Sequence, residues 1–226
     1  MKVSIVIPAY RPVALLSACI SGILKNTDMT DVEVIVVCNG SDKESATLVL
    51  NTSFKLFWTD EALGFTKAAN IGLRLATGDY VIVLNTDAVI LDYAPQNEWL
   101  LRLTAPFENS SVGVTGLGFM WTPFGHGTYA PFYCAAIRRS LFDEIGYLDE
   151  QFSPGYCEDA DFCYRVVAAG YELVQVDHVV PVADNTSTVT DFPIWHAGEQ
   201  SYMDKEKRQM YVNNGIKKLE EKWGKL

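Results

Sequence analysis

Three groups of polar residues have the types and spacing that chemistry on a phosphate ester or a bound cation would need. Asn85-Thr86-Asp87 abruptly ends the apolar run Tyr80-Val-Ile-Val-Leu84. An aspartate projecting from a rigid strand end suits a hard divalent cation, because Mg²⁺ and Mn²⁺ prefer oxygen ligands and are often held by one or two protein groups plus substrate phosphates. The same Asn-x-Asp pattern also makes ordinary turns, with the side chains bonded to nearby backbone. Glu158, Asp159 and Asp161 open a predicted helix. Carboxylates in a first turn complement the helix dipole, and a fixed carboxylate there can equally accept the proton of an attacking hydroxyl. Of the histidines, His196 in Ile-Trp-His-Ala-Gly (194–198) is the best metal candidate, His178 is second, and His126 sits in a Gly-rich loop suited to substrate contact. Each also has the plain reading of a structural or solvated imidazole.

The elements that must position these groups alternate regularly at first. Residues 3–7 predict a strand, and Pro12 suits the first turn of a helix running to about residue 25. A buried strand over 32–37 ends in Asn39-Gly40, after which Ser41 or Asp42 can cap a helix to about residue 50. A strand over 54–58 and a helix over 66–76 follow, with Ala68, Ile71 and Leu75 as its core face, and Gly78 separates that helix from the strand over 80–84. Three strand–helix units leading to a fourth strand predict an α/β fold with a mostly parallel sheet covered by helices. The second half is less regular. It predicts a helix over 97–107, a strand over 112–119, a loop over 121–128, a strand over 129–137 and a short helix from Ser140 to Ile145. Beyond these come a helix over 158–170 with Phe162, Val166 and Ala169 inward, and one or two strands within 171–182. The amphipathic segment 202–223 is broken by Asn213-Asn214-Gly215, which predicts two helices or a bend.

In a parallel sheet the loops at 8–10, 39–42, 64–70 and 85–87 share one edge, so one ligand could touch them all. A flat base could rest against Pro8, Ala9 and Tyr10, while the helix beginning near Thr66 offers amide donors to phosphate. Gly116-x-Gly118-x-x-Trp121 lacks the third glycine, the helix and the ribose-binding acid of a dinucleotide fingerprint.

The 226 residues are 49% hydrophobic, enough for one substantial core, and the expectation is one domain: 1–90 binding nucleotide, 91–200 binding acceptor, and a C-terminal helical segment over 201–226. A net charge of −10 argues against nucleic acid as a partner and means that a polyphosphate ligand needs a metal or helix dipoles as countercharge. No apolar stretch approaches the ~18 residues of a spanning helix, so a cytoplasmic protein without a transmembrane segment is expected. Residues 204–226 carry seven Lys/Arg against four Asp/Glu. That basic tail reads as a solvated helix face or as a peripheral contact to an anionic membrane surface. Five cysteines without a Cys-x-x-Cys predict buried, reduced thiols.

As a set, Val-Ile-Pro-Ala-Tyr (6–10), Cys-Asn-Gly-Ser-Asp (38–42), Gly-Phe-x-Lys-Ala-Ala-Asn-x-Gly (64–72), Gly-Asp-Tyr-Val-Ile-Val-Leu-Asn-Thr-Asp (78–87), Cys-Ala-Ala-Ile-Arg-Arg (134–139), Gly-Tyr-Leu-Asp-Glu-Gln-Phe (146–152), Glu-Asp-Ala-Asp-Phe-Cys-Tyr-Arg (158–165), Trp-His-Ala-Gly-Glu-Gln-Ser (195–201) and Lys-Trp-Gly (222–224) resemble family 2 glycosyltransferases. The likeness is greatest to the rhamnosyltransferase-like branch and covers nearly the whole chain in order. It implies a GT-A fold and an inverting transfer from a nucleotide-diphosphate sugar to a glycan or other hydroxyl acceptor, with Mn²⁺ or Mg²⁺, in glycan or polysaccharide assembly. By position, Pro8, Ala9, Tyr10, Asn39, Asn70, Asn85 and Thr86 resemble nucleotide contacts, with Gly64, Phe65 and Lys67 close by. Asp87 and His196 resemble metal ligands, Asp159 the catalytic base, and Glu158 and Asp161 acceptor-site residues. Asn85 departs from the family's acidic consensus. A non-catalytic nucleotide-sugar binding module is the alternative, and a sugar nucleotidyltransferase is disfavoured because Pro8-Ala-Tyr-Arg11 is not a Gly-rich, basic nucleotide loop.

Overall fold

A computed structural model describes residues 2–10, 12–40, 43–121, 127–181, 188–198 and 204–224. β1 (Val3–Ala9), α1 (Val13–Asn26), β2 (Val32–Asn39), α2 (Lys43–Leu50), β3 (Lys55–Thr59), α3 (Phe65–Leu75) and β4 (Tyr80–Leu84) alternate as predicted. They are followed by β5 (Ala88–Ile90), α4 (Glu98–Thr104), β6 (Val112–Gly116), β7 (Met120–Trp121), β8 (Thr128–Tyr129), β9 (Cys134–Arg138) and α5 (Leu141–Ile145). The chain continues through α6 (Glu158–Ala168), β10 (Glu172–Gln175), β11 (Val179–Pro181), β12 (Thr188–Thr190), β13 (Ile194–His196) and α7 (Lys205–Trp223).

Seven strands form the central sheet in the order β10-β6-β9-β4-β1-β2-β3. Strands β1 to β4 are parallel, and β9 runs antiparallel to both its neighbours, β4 and β6. The unbroken apolar runs of β1, β2 and β4 follow from cover on both faces. Ile5, Ile7, Val34, Val36, Ile82 and Leu84 pack with Leu16 and Ile23 of α1 and Trp99 and Leu103 of α4. The alternate residues Val6, Ile35, Val37, Val81 and Val83 pack with Leu73 of α3, Leu141 of α5, and Phe162 and Val166 of α6. Each fully buried aliphatic side chain contributes about 1.5–3 kcal/mol, so the ends of these strands form a rigid edge. Among the described residues no helix is long and apolar enough to cross a membrane.

Several local expectations differ. Strand β1 continues through Pro8 and Ala9, whose side chains are buried. The core face of α3 is Ala68, Ala69, Gly72 and Leu73, whereas Leu75 is exposed and Ile71 only half-buried. The buried face is made of small residues because α3 lies close on the sheet. Ala169 of the α6 end is also only half-buried. The predicted loop at 121–128 is flanked by the short antiparallel pair β7–β8, while His126 and the capping residues Ser41 and Asp42 lie outside the described residues. Ser140 makes no side-chain cap bond. Helix α7 is continuous through Asn213-Asn214-Gly215, with Gly215 buried. All five cysteines are free thiols, four buried and Cys157 half-buried.

Candidate active site

The parallel register aligns Ala9 of β1 with Cys38, Asn39 of β2 with Thr59, and Val6 with Val83, so the carboxyl ends of β1, β2 and β4 share one edge. Asn85 leaves β4 there, its amide donating to the Tyr133 carbonyl at 2.9 Å. The chain then turns back as β5, whose antiparallel partner β13 pairs His196 with Ala88. That pairing brings His196 to Asp87: Nε2 lies 3.4 Å from Asp87 Oδ1, and the Ala197 amide donates to the Asp87 carbonyl at 3.0 Å. Asp87 is 4% exposed, and the imidazole stacks on Tyr133 with ring centroids 4.1 Å apart.

His178 lies elsewhere. Its Nδ1 is 3.1 Å from Asp191 Oδ2, and Arg102 Nη2 is 3.1 Å from each oxygen of the same carboxylate. The His178 backbone amide, aided by its ring and by Arg102, holds the Asp191 carboxyl well below the usual carboxylate range. Arg102 and Tyr93 also fix the 191–192 backbone just ahead of β13, so this cluster anchors the strand that carries His196.

Asp87 and His196 suit a cation shared with a ligand. Donors about 2.1 Å from one ion stand roughly 3–3.5 Å apart, which matches the observed separation. Among the described residues no group of three or more His, Cys, Asp or Glu side chains could hold a metal. Among the described residues Asn85 Oδ1 is buried without a hydrogen-bond partner, an arrangement that ordinarily costs about 1–3 kcal/mol and that a ligand donor would relieve.

The second cluster opens α6. Glu158 is 5% exposed, with Thr66 Oγ1 at 3.5 Å from its Oε2. Asp159 is half-buried and accepts hydrogen bonds from the Ala160 and Phe132 amides. Burial pushes both carboxyls above the ordinary range, and for Glu158 the Asp159 charge adds to it. Two adjacent carboxylates with little solvent resist simultaneous ionisation. Tyr129 of β8 lies within electrostatic reach of Asp159, and burial foremost raises its own pKa.

Phe132 and Tyr133 therefore tie the two clusters together: one amide bonds Asp159, and the next residue bonds Asn85 and stacks on His196. Sequence reading missed this dipeptide. It precedes an antiparallel strand, and a single apolar run carries no mark of direction.

Other predicted site residues are occupied by the chain itself. Asn70 is fully buried, donating to the Leu148 carbonyl at 2.9 Å and to Glu150 at 3.0 Å while accepting the Leu148 amide at 3.0 Å. With both ends of its amide used, it clamps a loop and has no face for a nucleotide. Asn39 likewise binds the Leu63 amide and the Gly64 carbonyl. Gly64 has φ +84°, and a Cβ there would lie 2.4 Å from Pro154 Cα. Pro154 also accepts the Phe65 amide at 2.5 Å, so that first-turn donor of α3 is not offered to phosphate. Asp161 is fully buried under Arg165, Lys222 and Trp223, which makes it an anchor for α7 and keeps it from an acceptor. Tyr10 is 37% exposed at the sheet edge, Thr86 is buried beside Asp87, and Lys67 is exposed on α3.

Residues 4–131 match the family described as Glycosyl transferase family 2. The chain belongs to that family. Among curated relatives, the O-antigen biosynthesis protein RfbC of Myxococcus xanthus is 25% identical over 216 residues, covering 76% of this chain and 16% of its own length. The uncharacterized glycosyltransferase EpsJ of Bacillus subtilis is 27% identical over 133 residues, covering 57% of this chain and 37% of its own. The chain thus spans well under half of either relative. Among solved structures, the mannosyltransferase PcManGT from Pyrobaculum calidifontis, in complex with GDP-Man and Mn²⁺, superposes with a TM-score of 0.65 at 19% identity, covering 77% of this chain and 54% of that one. GalNAc-T7 with UDP, GalNAc and Mn²⁺ gives 0.63 at 19% identity, covering 78% and 42%. The fold is GT-A, as the family 2 resemblance implies.

Proposed function

We propose that this family 2 chain transfers a sugar from a nucleotide-diphosphate donor to an acceptor hydroxyl with inversion at the anomeric carbon, in glycan or polysaccharide assembly. The observation that carries the reading is the Phe132-Tyr133 link, which joins a carboxylate of raised pKa to a carboxylate–imidazole pair suited to a cation. In the proposed step Asp159, ionised, accepts the proton of the acceptor hydroxyl. The hydroxyl oxygen bonds to the anomeric carbon from the face opposite the diphosphate, the carbon–oxygen bond to the diphosphate breaks, and a nucleoside diphosphate leaves. A base with a pKa lifted toward neutrality accepts a proton more readily than an ordinary aspartate while remaining largely ionised near pH 7.

Asp87 and His196 would hold Mn²⁺ or Mg²⁺, which when bound supplies positive charge against the departing diphosphate. The Mn²⁺ bound by PcManGT and GalNAc-T7 supports that choice. Tyr10, exposed at the sheet edge, would flank the base above Pro8 and Ala9 at the end of β1, and Asn85 would donate its amide group to the ribose or accept a hydroxyl at Oδ1. Glu158 would border the acceptor. The 226 residues would act as one transferase domain in the cytoplasm, with the basic C-terminal segment as its peripheral contact to an anionic membrane surface. Asn85 in the place of an acid favours one second reading, a module that binds nucleotide sugars without turnover.

Calorimetric titration with UDP, GDP and dTDP, each with and without Mn²⁺, tests the donor site. Binding of one nucleotide that strengthens with Mn²⁺ is expected. No binding of any of them under either condition would overturn the assignment.

A further inference from the structure

The turn that opens α6 is backed by another helix at unusually short range. Tyr156 and Cys157 have φ of 80° and 73°, a region that disfavours non-glycine residues and persists only where the surroundings enforce it. Helix α7 crosses behind them at Gly215. A Cβ at that position would lie 2.6 Å from the Tyr156 carbonyl oxygen, 3.2 Å from its carbon and 3.3 Å from Cys157 Sγ. Glycine is less favourable in a helix than alanine, so its presence in mid-helix marks a close approach. The approach is fixed on both sides. Leu219 is buried with Phe152, Ala160 and Tyr164. Trp223 Nε1 donates to Asp161 at 2.9 Å, and Lys222 Nζ lies 2.7 Å from both Asp161 and Asp149. Arg208 of the same helix hydrogen-bonds the Tyr156 side chain. The residues next along the chain from this turn are Glu158 and Asp159.

We propose that α7 is the positioning element of the reaction: Gly215 admits the helix to the Tyr156 carbonyl, and that contact holds the 156–157 turn in the left-handed geometry that aims the Asp159 carboxylate. The inference rests on Asp159 being the base. Gly215 and Trp223 are positioning residues and touch no substrate.

The test is Gly215→Ala in the full chain, assayed with whichever UDP-, GDP- or dTDP-linked sugar the wild type turns over. Alanine favours the helix and intrudes on the turn. A misplacement of about 1 Å can cost about 100-fold in rate, so kcat per folded molecule should fall at least about tenfold, with donor KM changed less than about twofold. A loosened turn also admits water to Asp159, so the acidic limb of the kcat profile should move down toward the ordinary carboxylate range. Among the described residues the titratable groups facing Asp159 are Glu158, Cys157 and Cys163 from its own segment and Tyr129 from β8. Glu158 shares the acidic range, so the limb is read in both the native and the Glu158→Gln background. Should Gly215→Ala not fold, Trp223→Phe, which removes the bond to Asp161 and keeps the ring, should shift kcat and the limb in the same directions by a smaller factor. Wild-type kcat and an unmoved limb in the variants that fold would overturn the inference while leaving the base assignment intact, provided Asp159→Asn is inactive. Turnover retained by Asp159→Asn would instead overturn the base assignment, and this inference with it.

Discussion

Replacing Asp159 with Asn lowers kcat by about 10²–10⁴-fold, the range that general-base catalysis contributes, and leaves donor binding within about twofold of wild type. The asparagine carbonyl can still accept from the Ala160 amide, which bonds Oδ1 of the native carboxylate, so the start of α6 keeps that bond. What is lost is the ability to take a proton. Removing a crowded negative charge beside buried Glu158 also relieves repulsion, so the thermal midpoint should be unchanged or slightly raised. Wild-type activity itself should fall as pH drops, because protonation disables the base. Since burial raises its pKa, the loss should set in at higher pH than an ordinary aspartate would give. Retained turnover in Asp159→Asn, or an acidic limb at the ordinary aspartate value, would remove Asp159 from the mechanism.

Asp87→Ala should abolish the gain in nucleotide affinity that Mn²⁺ confers. The hairpin that presents Asp87 survives the change, because Ala197 bonds the residue 87 carbonyl and β5–β13 pairing is backbone-borne. Loss of partners that merely orient a ligand typically costs 10–100-fold in metal affinity or activity, and loss of a direct ligand should cost at least about that. Calorimetric titration of the nucleotide with and without Mn²⁺ checks this, with the metal-free affinity as internal control. An undiminished Mn²⁺ effect would reject Asp87 as a ligand.

These two residues differ in how they could be found. Asp87 follows a β-branched run that stops at a polar residue, and a strand covered on both faces leaves that pattern in the residues themselves. Its partner His196 is distant in sequence, and only the β5–β13 pairing makes them neighbours. The parallel half of the fold was readable because Val6 and Ile7, or Val81 and Ile82, must point to opposite, equally apolar layers. The reversal of β9 was not, since pairing direction depends on partners remote in the chain. Asn39, Asn70 and Asp161 show a different limit. A polar residue at a strand end or on a helix can serve a ligand or the protein's own chain, and here Leu63, Leu148 and Trp223 take those side chains. Gly215 was misread for a related reason: local propensity disfavours glycine in mid-helix, and the tertiary contact with Tyr156 outweighs it.

The most direct test of the whole account is the anomeric configuration of the product. Wild-type protein with Mn²⁺ is given the donor sugar whose nucleotide it binds and a panel of hydroxyl acceptors, and the new glycosidic bond is read by proton NMR. Release of nucleoside diphosphate with an anomeric configuration opposite to that of the donor is the predicted result. A product that keeps the donor's configuration would contradict a single displacement driven by Asp159.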